Sequence, residues 1–364
     1  MKKTILAATI LTFTTAASAE MQLSGFASVV GGKVISGTGV EDFGLGPTFL
    51  ANYPTVGVYE KDLTFKPDSK FGLQFSADLM DGLSATAQLV GRGADDFNAE
   101  LEWAYLSYTL NDHWTVQAGK KRLPLYYYSD FFDVSYAYLW IRPPADNYTW
   151  QIFNYTGVNA QFNYQVGEWS VGGNLYTGRE DDPNNKLLSE FFFGEETREI
   201  WKDIMGAVLT LNRDWLDLRF TYMTYTNERY RSGEQVTWNG KNYRDGKFMG
   251  FSANIDYNDW IILSELNRLN LSGEGNFDTY MVSLGYRIDA FTPYISYADF
   301  DSDGEKHNTT SVGFRWDFHP SAAFKLQYDE VQDDGYGYLP DGSVNNMMVA
   351  GDSKAITFGI DLVF

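Results

Sequence analysis

The 364-residue chain has no cysteine, which excludes thiolate catalysis, cysteine metal centres and disulfide staples together. It has only three histidines, His113, His307 and His319, dispersed over turn and loop positions without metal spacing or a nucleophile motif around them. Bases are scarce as well. The 28 Lys and Arg stand against 48 Asp and Glu, a formal net charge of −20, and nucleic acid is excluded as a partner because phosphate binding needs a basic footprint. No apolar run approaches the ~20 residues that a spanning helix requires. The glycine-bearing "SGTG" (36–39) is not followed by a helix and cannot cradle a phosphate, and "DSDG" lacks the full spacing of a calcium loop. An enzyme, a metal site and a cofactor all lack residues to carry them.

What is plentiful is aromatic. The chain has 25 Tyr, 26 Phe and 10 Trp, more than a core of this size requires. Its first residues, "MKKTILAATILTFTTAASA", have two lysines, an apolar run and small residues at Ala17 and Ala19. That is the pattern of a secretory signal peptide, residues 1–19, with a mature chain beginning at Glu20 outside the cytoplasm.

After it, almost every legible segment alternates with the period of a strand. Val158, Ala160, Phe162, Tyr164 and Val166 oppose Asn159, Gln161, Asn163 and Gln165, and Val312, Phe314, Trp316 and Phe318 oppose Ser311, Arg315 and Asp317. Short connections at 80–82, 111–113, 167–168, 212–214, 258–259, 289–291 and 319–322 alternate with longer polar ones. Seven short turns and eight long loops predict an all-β chain of about sixteen antiparallel strands in one domain, 20–364.

A soluble sandwich and a transmembrane barrel differ in their polar face. Here that face carries Arg, Asp, Gln and Asn strand after strand, as a wet lumen does. Trp114, Trp169, Trp215 and Trp260 each follow a short turn directly, which predicts an aromatic girdle at one membrane interface. A spanning sheet must close on itself, so "AITFGIDLVF" (355–364) is expected to pair with Met21–Val30. Ile356, Phe358, Ile360, Leu362 and Phe364 would then face lipid, and Thr357, Gly359 and Asp361 the lumen.

These features together resemble Gram-negative outer-membrane porins over the whole mature chain. The segments "DSKFGLQFSADLMDGLSATAQLVGRG" and "AELEWAYLSYTLNDHWTVQAGKKRLPLYYYSDFFDVSYAYLWIRPP" are similar to a porin-like group of marine gammaproteobacteria, distantly related to phosphate-selective porins. "AYLSY" followed by "AGKKRLP" is the most specific part, and the group has a proline where Leu139 stands. The resemblance implies a homotrimer of barrels in the outer membrane, each with its third long loop folded inward to narrow the pore. It also implies that Phe364 is the signal read by the barrel insertion machinery.

That third loop, about 122–154, is long, aromatic and stiffened by proline. Lys121, Arg122, Tyr126, Tyr127, Tyr128, Asp130, Asp133 and Arg142 are its candidates for a constriction with basic groups facing acidic ones. Phe131, Phe132, Tyr136 and Trp140 are its candidates for packing on the wall or on a neighbouring subunit. Strand parity puts Lys70, Arg92, Arg219, Arg287, Arg315 and Lys325 in the lumen with Asp78, Asp217, Asp256, Asp289, Asp317, Asp329 and Asp361. Mutual pairing is expected for Arg219 with Asp217, Arg287 with Asp289 and Arg315 with Asp317, and a basic ladder on one wall is the other possibility. Glu100, Glu102 and Glu265 have no clear parity. Acidic stretches at 179–182, 194–199 and 301–305 fall in outer loops, where they bear on lipopolysaccharide and bridging divalent ions rather than on the pore.

The expected function is a passive channel for small hydrophilic solutes and ions. Two alternatives stand beside it: a channel selective for anions such as phosphate or for sugars, and a surface receptor or structural barrel with a plugged lumen.

Overall fold

The computed structural model describes residues 21–39, 46–149, 152–273, 275–302, 304–338, 344–346 and 351–364. The signal-peptide segment and the expected cut before Glu20 lie outside the described residues. Alternating side chains build sixteen long antiparallel strands from these residues. They are β1 (Met21–Gly37), β2 (Lys70–Met80), β3 (Leu83–Arg92), β4 (Ala99–Asn111), β5 (Trp114–Arg122), β6 (Asn154–Val166), β7 (Trp169–Asp182) and β8 (Thr197–Arg213). The second half comprises β9 (Leu216–Arg231), β10 (Arg244–Tyr257), β11 (Trp260–Leu271), β12 (Gly275–Tyr286), β13 (Phe291–Ser302), β14 (Lys306–His319), β15 (Ala322–Asp333) and β16 (Ser353–Val363). A two-residue strand, Glu234–Gln235, adds to β9, and a small hairpin, Phe49–Asn52 with Gly57–Tyr59, sits in the first long loop.

Each strand pairs with its chain neighbours, and β16 pairs with β1, so the sheet closes and leaves no barrel strand with an open edge. The closing register departs from the expected one. Phe26 pairs with Val363 and Gly37 with Ser353, while Phe364 exchanges backbone hydrogen bonds of 2.8 and 3.0 Å with Gly25. The seam therefore runs from Gly25 to Gly37 rather than over Met21–Val30. Met21–Ser24 pair only with β2, because closing a barrel staggers its strands by a fixed shear.

The short turns fall at the seven expected places. Their tightness is visible in the backbone, with Gly82, Gly167, Asp214, Asn258 and Asp289 all at positive φ. The outer face is largely apolar: Met205 is 63% exposed, Val166 60% and Ile360 42%. On β16, Thr357, Gly359 and Asp361 are buried inside, while Ile356 and Phe358 are half-buried and Ile360, Leu362 and Phe364 exposed. This is the wall of a membrane-spanning barrel, in which hydrocarbon meets the exposed side chains.

Of the four tryptophans expected in a girdle, three pack on a second aromatic ring at the short-turn end, and Trp169 lies under the Arg213 guanidinium at 5.8 Å. Trp114 stacks beside Phe162 and donates to Tyr164 Oη at 2.8 Å, Trp260 packs edge-on to Tyr286, and Trp215, inside its turn, packs edge-on to Tyr257.

Parity failed in two places for two reasons. In β4 the register against β3 jumps between Gln88 paired with Trp103 and Leu89 paired with Leu101, and this bulge turns Glu102 inward. In β11 the inner face is itself apolar, with Leu263, Leu269 and Leu271 buried inside the barrel beside Glu265. A lumen wall carries leucine only where something apolar covers it.

Candidate functional site

The cover is the loop between β5 and β6. Its neck is closed by Leu123 N–H donating to the Phe153 carbonyl at 2.7 Å. Beyond the neck the segment turns inward, because ten apolar or aromatic side chains among its described residues are buried and the barrel interior is where they are buried. Leu125, Tyr126, Tyr128, Phe132, Tyr138, Leu139, Trp140 and Tyr148 pack against Met223, Tyr225, Phe248, Leu263 and Met281 of β9 to β12. In and around its two single turns of 3₁₀ helix, Ser129–Phe131 and Ser135–Ala137, several carbonyls also accept hydrogen bonds from partners outside the loop.

The wall bases supply those partners. Lys70 on β2 donates to the Phe132 carbonyl at 3.2 Å and to Tyr138 Oη at 3.1 Å. Arg219 on β9 donates to the Pro124 carbonyl, and Arg315 on β14 to the Tyr136 and Tyr138 carbonyls at 2.6 and 3.0 Å. Lys325 on β15, wholly buried, donates to the Ser135 and Trp140 carbonyls at 2.6 Å each and lies 2.9 Å from Asp361. Four lumen bases thus hold loop backbone. A basic ladder facing water does not form.

Three side chains of the loop reach the wall by charge. Asp133 is chelated by Arg92 on β3, at 2.9 and 2.8 Å, and is also bound by Arg122 on β5. Glu102 completes this square, 2.6 Å from Arg92. Burial pushes the Asp133 carboxyl up, but the two guanidiniums outweigh it and hold it well below the usual carboxylate range. Arg142 bridges Asp68 at 2.7 Å and Asp329 at 3.0 Å, and Asp146 lies 2.6 Å from His307 Nδ1. The polar wall contributes too. Glu265 accepts from Tyr127 N–H at 3.3 Å and from Tyr148 Oη at 3.0 Å, Asp217 accepts from Tyr127 Oη at 2.7 Å, and Trp140 Nε1 donates to Ser283 at 3.0 Å. Burial raises the pKa of Tyr126, Tyr127 and Tyr128, keeping all three phenols neutral.

The expected site residues therefore divide. Arg122, Asp133 and Arg142 are buried in ion pairs that fix the loop, as are Tyr126 and Tyr128 in its apolar core. Lys121 is half-buried, bound to Gln117 on its own strand and placed over the Tyr105 ring at 4.5 Å. Asp130 is exposed, beside Phe131 at 53% exposure. Of the packing candidates Trp140 and Phe132 are buried, Tyr136 is half-buried under Arg315 and Phe131 is not packed.

Of the three neighbour pairs only Arg315 with Asp317 forms, at 2.7 Å. Arg287 instead reaches past β11 to pair with Asp256 of β10, and Arg219 and Asp217 both turn to the loop. Asp78 is exposed near the end of β2, and Asp289 lies in the turn after β12 rather than on the lumen wall. Glu102, Glu265 and His307 are the contributors that parity did not identify. For Glu102 and Glu265 the only sequence signal was an acid in a stretch with apolar residues on both faces, and His307 had none.

Open space remains on both sides of the loop. Above it lies a cavity of about 750 Å³, with Arg92, Glu102, Lys120, Arg122, Phe132 and Glu180 among its lining. Below it lie two more. One, of about 530 Å³, is roofed by Tyr127, Tyr128 and Ala137–Leu139, and the other, of about 390 Å³, has Pro124 and Asp130 on one side and Gln161, Asn174 and Arg219 on the other. Such an arrangement can pass or hold small polar solutes, and no group of three or more His, Asp or Glu side chains placed to hold a metal ion occurs among the described residues.

No protein-family model and no curated protein matches the chain in sequence. Solved structures do match in shape. The outer-membrane channel DcaP of Acinetobacter baumannii aligns with a TM-score of 0.61 at 11% identity, over 98% of this chain and all of that one. The anion-selective porin from Comamonas acidovorans aligns at 0.59 and 14%, over 95% and 100%. OmpF of Salmonella typhi, in complex with daunomycin, aligns at 0.59 and 13%, over 94% and 97%. At these identities the likeness is one of architecture, and the chain has the sixteen-stranded fold of the outer-membrane porins.

Proposed function

We propose that the protein is a passive outer-membrane channel for small hydrophilic solutes and ions, working as a homotrimer. The observation that carries this reading is the pair of water-accessible regions on opposite sides of one inward loop, inside an apolar-skinned closed barrel. Solutes pass the loop on the side where Lys121 and Asp130 remain accessible to water, and these two residues narrow the path. The pairs Arg122–Asp133 and Arg142–Asp329 act one step back, by fixing where the loop lies. The acidic stretches 194–199 and 301–305 meet lipopolysaccharide, whereas 179–182 is the end of β7 and contributes Glu180, Asp181 and Asp182 to the upper cavity. Residues 1–19 direct export, and Phe364 is presented to the insertion machinery.

The tightness of the loop supports a second reading, a solute-selective or plugged barrel. Single-channel recording of the purified protein in planar bilayers separates the two. Steady, large conductance with weak discrimination supports general diffusion, block by one sugar or by phosphate at low concentration supports selectivity, and absence of conductance overturns the channel.

A further inference from the structure

The loop removes most of the lumen's bases from the ionic path and leaves several acids in it. Lys70, Arg219, Arg315 and Lys325 each donate to loop carbonyls, and Arg92 and Arg122 are closed in a square with Asp133 and Glu102. At the turn end Arg213 pairs with Glu168 and Arg287 with Asp256. Lys120, which lines the upper cavity, and Lys121, which is held on Gln117, make no hydrogen bond or ion pair to a carboxylate or a loop carbonyl among the described residues.

The acids are disposed differently. Asp130 projects from the loop, exposed, with no hydrogen bond or ion pair to a described residue, and its field reaches Lys121, Tyr105 and Tyr155 on three adjacent strands. Glu190 lines the upper cavity with no ion pair to a described base, Glu180 lines it with Lys120 as the base that acts on it, and Glu100 is 3.5 Å from an Arg92 that Asp133 and Glu102 already hold. The imbalance recurs on both sides of the loop. Eight carboxylates face four bases in the upper cavity, four face three in the larger lower one, and two face one in the smaller.

We propose that the channel conducts cations in preference to anions, with Asp130 setting the preference at the loop and Glu100, Glu180 and Glu190 setting it at the mouth above. The inference rests on the diffusion reading given above. It does not follow from the net charge of the chain, most of which lies in outer loops. It follows from which partner each lumen charge has. A fixed charge acts on a passing ion over about one Debye length, ~10 Å at 0.1 M salt and ~3 Å at 1 M, so the preference belongs to dilute salt.

The test is the reversal potential of the full-length protein in planar bilayers under a KCl gradient. Around ~0.1 M, potassium is expected to permeate several-fold better than chloride, and around ~1 M the ratio is expected to fall toward parity. Asp130→Asn should lower the ratio at low salt, and adding Glu100→Gln and Glu180→Gln should lower it further. Asp130 is exposed and holds no other side chain, so its substitution leaves the barrel folded. Steady conductance that prefers chloride, or a ratio that the triple variant does not move, overturns this inference and leaves the diffusion reading standing. Absence of any conductance overturns both.

Discussion

The Lys325 ammonium donates to the Trp140 carbonyl at 2.6 Å in the middle of the barrel, where both side chains are completely buried. A charge without water at that depth is stable only if its donors are all used, and here Ser135, Trp140 and Asp361 use them. Removing the ammonium strands a carboxylate and two carbonyls. Lys325→Met should therefore cost about 3–5 kcal/mol. The folded barrel should lose its heat-resistant gel mobility at a lower temperature, and its current should become noisier as the loop loosens. Lys325→Met with Asp361→Leu should recover much of that loss, since an apolar pair of similar volume replaces a buried ion pair at little cost. If the double variant is no better than the single, the Lys325–Asp361 pair is not what the loss measures.

Lys121 and Arg122 are neighbours with opposite fates. Lys121→Glu places an acid on the accessible side of the loop and should raise the cation-to-anion permeability ratio with little change in stability. Arg122→Glu puts a third carboxylate beside Glu102 and Asp133 and should destabilise the folded barrel by about 3–5 kcal/mol. Unfolding in urea, read by tryptophan fluorescence, checks the second, and the reversal potential checks the first. Equal loss of stability in the two variants would contradict the assignment.

The Asp133 tie should resist acid. Its carboxyl is held below the unfolded value of about 3.9, so its contribution to stability is complete above that pH and is lost only as pH falls through the depressed folded value. Between pH 7 and pH 5 the wild-type current should therefore show no loosening that Asp133→Asn abolishes. Asp133→Asn itself should give a noisier current across the whole range. A wild-type transition near pH 6 that this variant removes would show that another group sets the tie.

Phe364 and Gly25 share the seam through two backbone hydrogen bonds, and a Cβ on Gly25 would stand 2.5 Å from the Phe364 ring. Deleting Phe364 should reduce the amount of heat-modifiable barrel in the outer membrane while leaving the conductance of the assembled fraction unchanged. Gly25→Val should act in the same direction by displacing the ring. Normal yield with altered conductance from either variant would place the terminus in the pore rather than at the seam.

The alternation of Val158 to Val166 and of Ile356 to Phe364 determined by itself that the chain forms strands with one apolar and one polar face. The Asn, Asp and Gly turns determined where those strands reverse, since tight antiparallel connections need positive φ at residues such as Gly82 and Asn258. Both are local demands, satisfied within a few residues, and so they are written locally. Register and pairing were not. The stagger that moved the seam to Gly25–Gly37 depends on the shear of all sixteen strands, and the bulge that turned Glu102 inward depends on β3.

The function of the lumen charges was decided furthest from the sequence. Arg219 and Asp217 share a face two residues apart, yet neither binds the other, because Pro124 and Tyr127 arrive from a loop about ninety residues earlier. Parity says that a lysine or arginine points inward. Only the folded loop decides whether that charge meets a passing ion or a carbonyl, because a dry interior demands that every donor find a partner before any is left for solute.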